Sequence, residues 1–533
     1  MYRQRALVPV LVFLGMVVAV VSSLGAPLIP TLAVADHVSL TTAQWSLTVT
    51  LLAAAVATPI TGRLADGPRR REVVLVVLAV VVLGSVLAAL PLGFWWLVAG
   101  RALQGVGLGL TSLAIAVARD HVPVARARSA IALLSVTTVA GVGLGYPVTG
   151  LIASRFDVHA GFWFGAGVSL LALILAALVV PSSKGRPAHR LDVLGAGLLA
   201  AGLAALLLGL SEAERWGWTS LRLAGTTVTA GVLLALWVTH ELRVEHPLVE
   251  LYLLRRRPVL TADITGLLGG VGMYLLLSLM TRFVQTPRSA GYGFGASVVV
   301  AGLVLLPFSA ASVVGSRIGP VVARRFGVDR VLPFGCGLFL LAMIFFLADR
   351  SSMWEVLVVM ALAGLGVGCT FAAMPGLVMR AVPASETGSA ISVNQVLRTV
   401  GYSIGSALTG TVLEGATPHG AALPTGDGYA AAAVLGIAIW AVTGIVSAVL
   451  PGTGRGRRSS RRPAGRRGPA REQPVTSRER LLTAAANGPP PHLADLDAVV
   501  GNTPEKGDHV VKIGQLGGGR GRGGSRWLSR PRG

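Results

Sequence analysis

Charged side chains are scarce in this chain. Asp, Glu, Lys and Arg make up 13% of its 533 residues, whereas 53% of the residues are hydrophobic. A soluble domain carries about 25% charged residues. The composition therefore excludes an ordinary soluble protein and indicates a polytopic membrane protein.

Cysteines and the motifs of catalysis are also rare or missing. The two cysteines, Cys336 and Cys369, both fall within apolar runs, which excludes a disulfide framework. The nine histidines are scattered without metal-ligand or triad spacing, and the sequence has no G-x-x-x-x-G-K-[ST] motif for ATP. We therefore expect no enzyme activity, no cofactor and no bound metal.

Long apolar runs fill most of the chain, and about 20 such residues span a bilayer. They predict fourteen helices, at residues 6–28, 43–62, 72–91, 95–117, 129–152, 161–181, 192–211, 221–240, 259–281, 295–316, 330–348, 353–378, 388–413 and 429–450. The first run is too long for the core of a signal peptide, so we expect a retained helix.

Basic residues in the loops predict the orientation. If the N-terminus is cytoplasmic, the cytoplasmic side carries twenty-one Lys and Arg and the opposite side carries six. The positive-inside rule then places both termini in the cytoplasm. This pattern predicts a multi-pass protein of the inner or plasma membrane.

Residues 451–533 have a different composition, rich in Gly, Pro and Arg, with 17 basic and 6 acidic residues. Such a segment cannot bury enough apolar surface to offset its ordering entropy. We expect a disordered cytoplasmic tail that lies near anionic lipids. RGG-like RNA binding is the alternative that we favour less, and a nucleic-acid partner is not expected.

An internal repeat relates the early helices to the late ones. With a shift of 260 residues, VPVARARSAI at 122–131 aligns with VPASETGSAI at 382–391, and residues 122–150 share ten identities with residues 382–410. With a shift of 259, LQGVGLG at 103–109 aligns with LAGLGVG at 362–368. Helices 1–6 thus correspond to helices 9–14, with helices 7 and 8 inserted. Two parallel halves with a site between them are typical of secondary transporters.

The two repeats differ at polar positions. Arg101 and Gln104 of helix 4 align with Met360 and Ala363. An Arg within a span costs about 2.5–3.5 kcal/mol even on the lenient insertion scale. This cost favours a role for Arg101 in the transport pathway or in coupling. A structural Arg that caps backbone carbonyls or pairs with a neighbour is the alternative.

Three motifs resemble the major facilitator superfamily, and in particular its fourteen-helix drug:proton antiporter branch. GRLADGPRRR at 62–71 is similar to the family's G-x-L-a-D-r-x-G-r-k loop between helices 2 and 3, and the helix-4 motif R-x-x-Q-G is intact at 101–105. The helix-5 motif G-x-x-x-G-P-x-x-G-G is retained in part, with its proline displaced by one position and its second terminal glycine missing. The likeness spans about residues 6–450.

The resemblance implies an all-α major facilitator fold, with two six-helix bundles and two inserted transmembrane helices. The expected segments are a first bundle at 1–185, the insertion at 186–255, a second bundle at 256–450 and the tail at 451–533. Helices 1, 4, 9 and 12 are expected to line a central cavity. The implied residues are Gly62, Asp66, Arg70 and Arg71 in a gating loop, and Gly141, Gly145, Pro147 and Gly150 in the helix-5 motif.

The acidic residue usual in helix 1 of this branch is absent, because Val21 stands in its place. Asp263 in helix 9, the repeat counterpart of helix 1, is the candidate proton-coupling group. Capping of the helix start, or pairing with Arg255–Arg257, is the alternative for Asp263. Arg398 belongs to a second polar cluster that either lines the cavity or clamps two helices. Tyr274 and Phe371 are weaker candidates for the substrate wall, and ordinary packing is their alternative.

We therefore expect a secondary active transporter that exports small amphipathic compounds by alternating access, coupled to proton influx. Its expected partners are a small-molecule substrate, protons and the lipid bilayer. The alternatives are a carrier that imports or exports one specific metabolite and a membrane sensor that transports nothing. We expect Asp66 to meet the N-terminus of another helix, or Arg119 or Arg126, and so to latch the cytoplasmic side.

Overall fold

The computed structural model describes residues 2–24, 28, 32–33, 35–153, 155–156, 158–182, 192–245, 247–418 and 423–450, and these residues are almost entirely helical. The predicted tail at 451–533 lies outside them. The helices of the first repeat are α1 (Tyr2–Ser23), α2 (Leu40–Asp66), α3 (Arg70–Ala89), α4 (Phe94–Val106, continued after a 3-10 turn by Leu110–His121), α5 (Val124–Ala153) and α6 (Val158–Val179).

The inserted pair and the second repeat follow in the same order. They are α7 (Val193–Trp216), α8 (Leu221–Glu241), α9 (Arg257–Gln285), α10 (Val298–Leu303, continued by Leu305–Phe326), α11 (Val331–Ala348), α12 (Met353–Ala381), α13 (Thr387–Gly415) and α14 (Gly426–Val449). A single helical turn, Leu251–Leu254, precedes α9.

Thirteen helices in the described part of the chain are long and apolar enough to cross a membrane. The helix outside this set is α13, whose 29 residues include Asn394, Gln395 and Arg398 among many Ser, Thr and Gly. These polar residues lower its hydropathy. The all-helical membrane fold is confirmed, while the count of fourteen spans and the cytoplasmic termini stay predictions.

The two repeats pack their helices in the same pattern. In the first repeat α1 contacts α5 and α6, α3 contacts α4 and α6, and α2 contacts α4. In the second repeat α9 contacts α13 and α14, α11 contacts α12 and α14, and α10 contacts α12. Each pairing recurs eight helices later, as the sequence repeat predicts. The domain boundaries at 185 and 255 stay predictions.

Glycines that align in the repeat support equivalent close contacts. Gly105 and Gly109 of α4 face α2, and their counterparts Gly364 and Gly368 of α12 face α10. Small residues let helix backbones approach closely in lipid, where apolar burial gives no drive for association. The aligned glycines are therefore packing positions, which explains why they occur in both repeats.

Two seams join the repeats, and they are related by the same shift of eight helices. One seam is formed by α2 and α13, the other by α5 and α10. The inserted helix α7 packs on α8 and also on both α2 and α13. Its apolar residues share a cluster with Ala55, Val396 and Val400. By contrast α8 turns large apolar side chains outward, among them Leu221, Val228 and Val232.

The close packing of α12 on α10 predicts a clear difference between two glycines of α12. A Cβ on Gly364 would lie 2.9 Å from the Phe308 carbonyl carbon, whereas a Cβ on Gly376 would meet no described heavy atom within 4 Å. We expect Gly364→Ala to destabilise the protein by about 1–3 kcal/mol through overpacking. Gly376→Ala should be neutral or stabilise it by about 0.5–1 kcal/mol, since Ala restricts the unfolded chain. Thermal unfolding of both variants in detergent checks this, and equal melting temperatures would contradict the packing.

Candidate functional site

A cavity of about 400 Å³ lies between the two repeats. Its lining comes mainly from α2, α5, α9 and α13, with smaller parts from α1, α4, α7 and α10. It reaches exposed residues at one end of the bundle, namely Gln44 of α2, Ser211 of α7 and Arg282 of α9. The opposite end of α2 carries Asp66.

The lining differs from the expected helices 1, 4, 9 and 12. Helix α12 contributes no described residue to it, and α4 contributes only Leu108. Phe371 does not line the cavity in this conformation, because its ring packs on Gly269 and beneath Arg398, and its place in the substrate wall stays a prediction. Tyr274 does line the cavity. The helices at the two seams, rather than α12, form the wall in this state.

One face of α13 supplies much of the polar lining. Residues Gln395, Arg398, Tyr402 and Ser406 recur at helical spacing and all line the cavity, because residues three and four apart share a face. The Arg398 guanidinium lies 3.9 Å from the centre of the Phe371 ring and donates from Nη2 to the Tyr402 hydroxyl at 2.9 Å. The Tyr402 ring stacks on Tyr274 with centroids 4.6 Å apart. Arg398 is thus a cavity residue as well as a contact between helices.

Asp263 lies close to this cluster but outside the cavity lining. Its side chain is 4% exposed, and its Oδ1 accepts from Asn394 Nδ2 at 3.1 Å. The same Nδ2 donates to the Ala262 carbonyl at 2.8 Å. Asp263 stands well inside α9, which begins at Arg257. Asn394 and Arg398 are one turn apart on α13, so Asn394 links the Asp263 carboxyl to the helix that carries the cavity cation.

Arg101 and Gln104 lie behind the cavity wall, which differs from their expected position on it. The Arg101 guanidinium is fully buried and donates to the carbonyls of Val21, Ser22 and Ser46 at 2.9, 2.6 and 3.2 Å. Its Nη1 also donates to Gln104 Oε1 at 2.7 Å. The first two carbonyls end α1, where the helix dipole is negative and favours a cation. This geometry matches the alternative of a carbonyl-capping Arg, and a part for Arg101 in transport stays a prediction.

Asp66 closes the α2–α13 seam at the end opposite the mouth. It is the last residue of α2 and not a loop residue as expected. Its Oδ1 accepts from the Gly388 amide at 2.7 Å, and its Oδ2 accepts from the Ser389 amide at 2.9 Å and from the Ser389 hydroxyl at 2.6 Å. These amides belong to the first turn of α13, where backbone N–H groups have no hydrogen-bond partners within the helix. Of the expected partners, the helix N-terminus is the one observed.

A buried ion pair reinforces this contact. Arg63 of α2 donates from Nη1 to Glu386 Oε2 at 2.7 Å, and Glu386 is the residue immediately before α13. Sequence reasoning missed both residues. A signal was present, since the repeat aligns Glu386 with Arg126, and this reversal of charge marks a position where the repeats differ.

Arg70 and Arg71 act within the first repeat and not across the seam. Arg70 is buried, donates to the Ala65 carbonyl and pairs with Asp120 of α4. Arg71 donates from Nη2 to the Ala177 carbonyl of α6 at 2.7 Å. The expected gating loop therefore divides into two parts. Its arginines hold α2 and α3 to α4 and α6, while Asp66 reaches the second repeat.

The helix-5 motif lies between α1 and α10. A Cβ on Gly141 or Gly145 would meet α1, at Met16 and Val20 respectively, about 3 Å away. On the other side Gly150 faces α10, and a Cβ on Gly302 of α10 would lie 3.1 Å from the Pro147 nitrogen. Pro147 stands inside the continuous α5. The motif thus brings α5 close to both neighbours, and its part in sealing the cavity stays a prediction.

Comparison with known proteins agrees with this architecture. The sequence matches the Major Facilitator Superfamily over residues 11–406 and 267–488. The multidrug resistance protein Stp of Mycobacterium tuberculosis is 32% identical over 378 residues, which cover 69% of this chain and 68% of that protein. The tetracenomycin C resistance and export protein of Streptomyces glaucescens is 28% identical over 386 residues, which cover 71% and 70%.

A solved structure shows the same fold. The crystal structure of the human organic anion transporter MFSD10 (TETRAN) superposes with a TM-score of 0.57 at 17% identity, and the match covers 83% of this chain and 99% of that chain. The sequence match extends over most of the chain, and the thirteen candidate spans agree with it. The chain therefore belongs to the Major Facilitator Superfamily, a family of transporters rather than enzymes, and is a multi-pass protein of the cell membrane.

Proposed function

We propose that this transporter exports small amphipathic compounds by alternating access, driven by proton influx. The observation that carries the proposal is a cavity between the repeats that reaches one end of the bundle while Asp66 and Arg63 close the other. With the orientation that the basic loops predict, this conformation faces outward. The names of the two bacterial relatives, a multidrug resistance protein and an export protein, favour export.

The Asp66 contact supplies the latch of the outward-facing state. A carboxylate at a helix N-terminus contributes about 0.3–1 kcal/mol at an exposed site and up to about 2 kcal/mol when partly buried. The Arg63–Glu386 pair lies beside it and is buried, so loss of either partner leaves an uncompensated charge. Both contacts must break for the cytoplasmic end to open, because both join α2 to the start of α13.

Proton influx is assigned to Asp263. It is the buried carboxyl group of α9, and its partner Asn394 lies on α13, the helix that also carries Arg398 and the contacts of the latch. A neutral, protonated Asp263 would donate to the Asn394 amide oxygen, whereas the carboxylate accepts from its Nδ2. The protonation state of Asp263 therefore changes how α9 and α13 are joined, which couples protonation to the position of the helix that lines the cavity.

The latch is tested by Asp66→Ala, with Arg69→Ala as the matched control from the same turn. Arg69 is exposed, and its ion-pair partner among the described residues is Glu72 at 3.6 Å. We expect Asp66→Ala to insert normally and to lower the initial rate of efflux about tenfold, as loss of about 1.4 kcal/mol would. The measurement is efflux of a panel of fluorescent dyes and antibiotics from cells expressing equal amounts of protein. Wild-type efflux by Asp66→Ala, or failure to insert, would refute the latch.

The coupling group is tested by Asp263→Asn, with the exposed Asp349→Asn as control. We expect Asp263→Asn to abolish the efflux that a proton uncoupler inhibits, because the amide cannot bind and release a proton. Substrate exchange in proteoliposomes without a proton gradient should persist, since the cavity lining is unchanged. Efflux by Asp263→Asn that keeps the uncoupler sensitivity of the wild type would remove Asp263 as the coupling group.

Glu250, in the segment between α8 and α9, makes the stability of the folded protein dependent on pH. Burial, followed by the nearby charge of Glu386, raises the pKa of Glu250 above its ordinary value of 4.5, and Arg63 opposes this shift in part. A raised carboxyl pKa means that the folded protein prefers the neutral acid. Ionisation of Glu250 therefore lowers the free energy of unfolding. This loss is absent below pH 4.5 and complete above the raised pKa of Glu250.

The corresponding prediction compares Glu250→Gln with Glu245→Gln, an exposed position of the same segment. Below about pH 4.5 both variants and the wild type should melt alike. As the pH rises through the raised pKa of Glu250, the wild type should lose stability relative to Glu250→Gln. Glu245→Gln should follow the wild type throughout. Thermal unfolding followed by intrinsic fluorescence between pH 4 and 8 measures this, and parallel curves for all three proteins would contradict it.

A further inference from the structure

We propose that the cavity binds organic anions that contain a planar aromatic part, and that Arg398 holds their acidic group. This inference rests on the proposed function, because it names the class of substrate for the same cavity. It follows from the charge of the lining, the partners of Arg398 and the aromatic side chains beside it.

The charge of the lining has one sign. Among the described residues that line the cavity, the charged ones are Arg398 in the wall and Arg282 at the mouth, and there is no Asp or Glu. The other polar groups are hydroxyls and amides. The attraction between unit charges grows as the effective dielectric constant falls. A buried cation that has no ion-pair partner among the described residues therefore favours an anion more than it would in water. The same field repels a cationic ligand.

Arg398 is surrounded by neutral partners. It is 5% exposed, its Nε and Nη2 donate to the Tyr402 hydroxyl at 3.2 and 2.9 Å, and its guanidinium lies on the face of Phe371. A guanidinium has five N–H donors in a fork that suits a carboxylate or phosphate. Arg70 and Arg63, by contrast, are paired with Asp120 and Glu386. Among these buried arginines, Arg398 is the one that combines cavity lining with neutral partners.

Acidic groups on the neighbouring helices are directed elsewhere. Asp263 of α9 is bonded to Asn394 and lies outside the lining. Glu212 of α7 follows the lining residue Ser211 in the chain but pairs with Arg215 at 3.2 Å. Neither carboxylate lines the cavity beside Arg398.

Aromatic side chains next to Arg398 favour a flat ring in the ligand. Tyr274 and Tyr402 stack with an interplanar angle of 23°, and Tyr146 and Phe308 also line the cavity. Aromatic rings gain from stacked and edge contacts beyond their area of burial. Gln395 lies one turn from Arg398, and its buried Oε1 has no hydrogen-bond partner among the described residues, so it can accept from a ligand hydroxyl. The volume of about 400 Å³ lies within the range of about 300–1,000 Å³ found for small-molecule sites.

A pair of dyes that share a xanthene ring tests this class of ligand. Fluorescein is anionic at neutral pH and rhodamine 6G is cationic, so the pair shares an aromatic system and has opposite charge. Binding of each to the purified full-length protein in lipid nanodiscs is followed by fluorescence polarisation. We expect fluorescein to bind at least about tenfold more tightly than rhodamine 6G. Arg398→Gln should weaken fluorescein binding about thirtyfold or more, as is found when one partner of a buried charge pair is lost.

Two further variants separate charge from folding. Arg398→Lys keeps the charge without the planar fork, so its affinity for fluorescein should lie between those of the wild type and Arg398→Gln. Arg288→Gln, at an exposed arginine just beyond α9 and outside the cavity lining, should change the affinity less than about threefold, because solvent and salt screen an exposed charge. Equal melting temperatures of the variants show that the fold is kept.

The outcomes distinguish this inference from the proposed function. Equal or tighter binding of rhodamine 6G, binding of neither dye, or unchanged fluorescein binding by Arg398→Gln overturns the inference. Selective fluorescein binding without efflux of any compound would refute export and leave the inference standing. Efflux of cationic dyes by a protein that does not bind fluorescein would support export and overturn the inference.

Discussion

The contact between the carboxylate of Asp66 and the first turn of α13 is the interaction on which the rest of the structure depends. Backbone polar groups within lipid must find their hydrogen-bond partners inside the protein. The first four amides of a helix have no such partner within the helix itself. Here the second repeat leaves two of those amides to be satisfied by the first. The cavity exists in its present form because α2 and α13 meet at this end and separate toward the other. The latch, the position of the Arg398 face and the accessible mouth therefore follow from the same joint.

The charged residues between positions 62 and 71 are divided between two tasks because their geometry differs. Arg70 and Arg71 begin α3 and point back to α4 and α6, so they make the first repeat rigid. Arg63 and Asp66 lie on the last turns of α2 and extend across the seam. A rigid repeat with charged groups at one edge can move as a body, since breaking a few contacts at that edge leaves its own packing intact.

Much of the fold could be predicted from the sequence, because apolar length and glycine spacing are properties of single helices. The repeat correctly paired Gly105 with Gly364 in equivalent contacts, and the motifs correctly indicated the family. The site was harder to predict. The sequence shows that Arg101 and Arg398 are both cations within apolar spans, where a charge is costly. Whether such a side chain reaches a cavity or a backbone carbonyl depends on where the neighbouring helices end. The sequence also does not specify which conformation the transporter adopts. The conformation determines that α2 and α13, rather than α12, form the wall of the cavity.

The position of α7 makes the two seams between the repeats unequal in how they face the lipid. This helix covers the α2–α13 seam and shares an apolar cluster with both helices, while the described chain places no inserted helix over the α5–α10 seam. The molecule therefore has one shielded flank and one bare flank toward the lipid. At the other seam, Gly302 and Pro147 bring the backbones of α10 and α5 together. The inserted pair thus makes a nearly two-fold molecule one-sided toward the lipid, because α7 covers only the α2–α13 seam within the described chain.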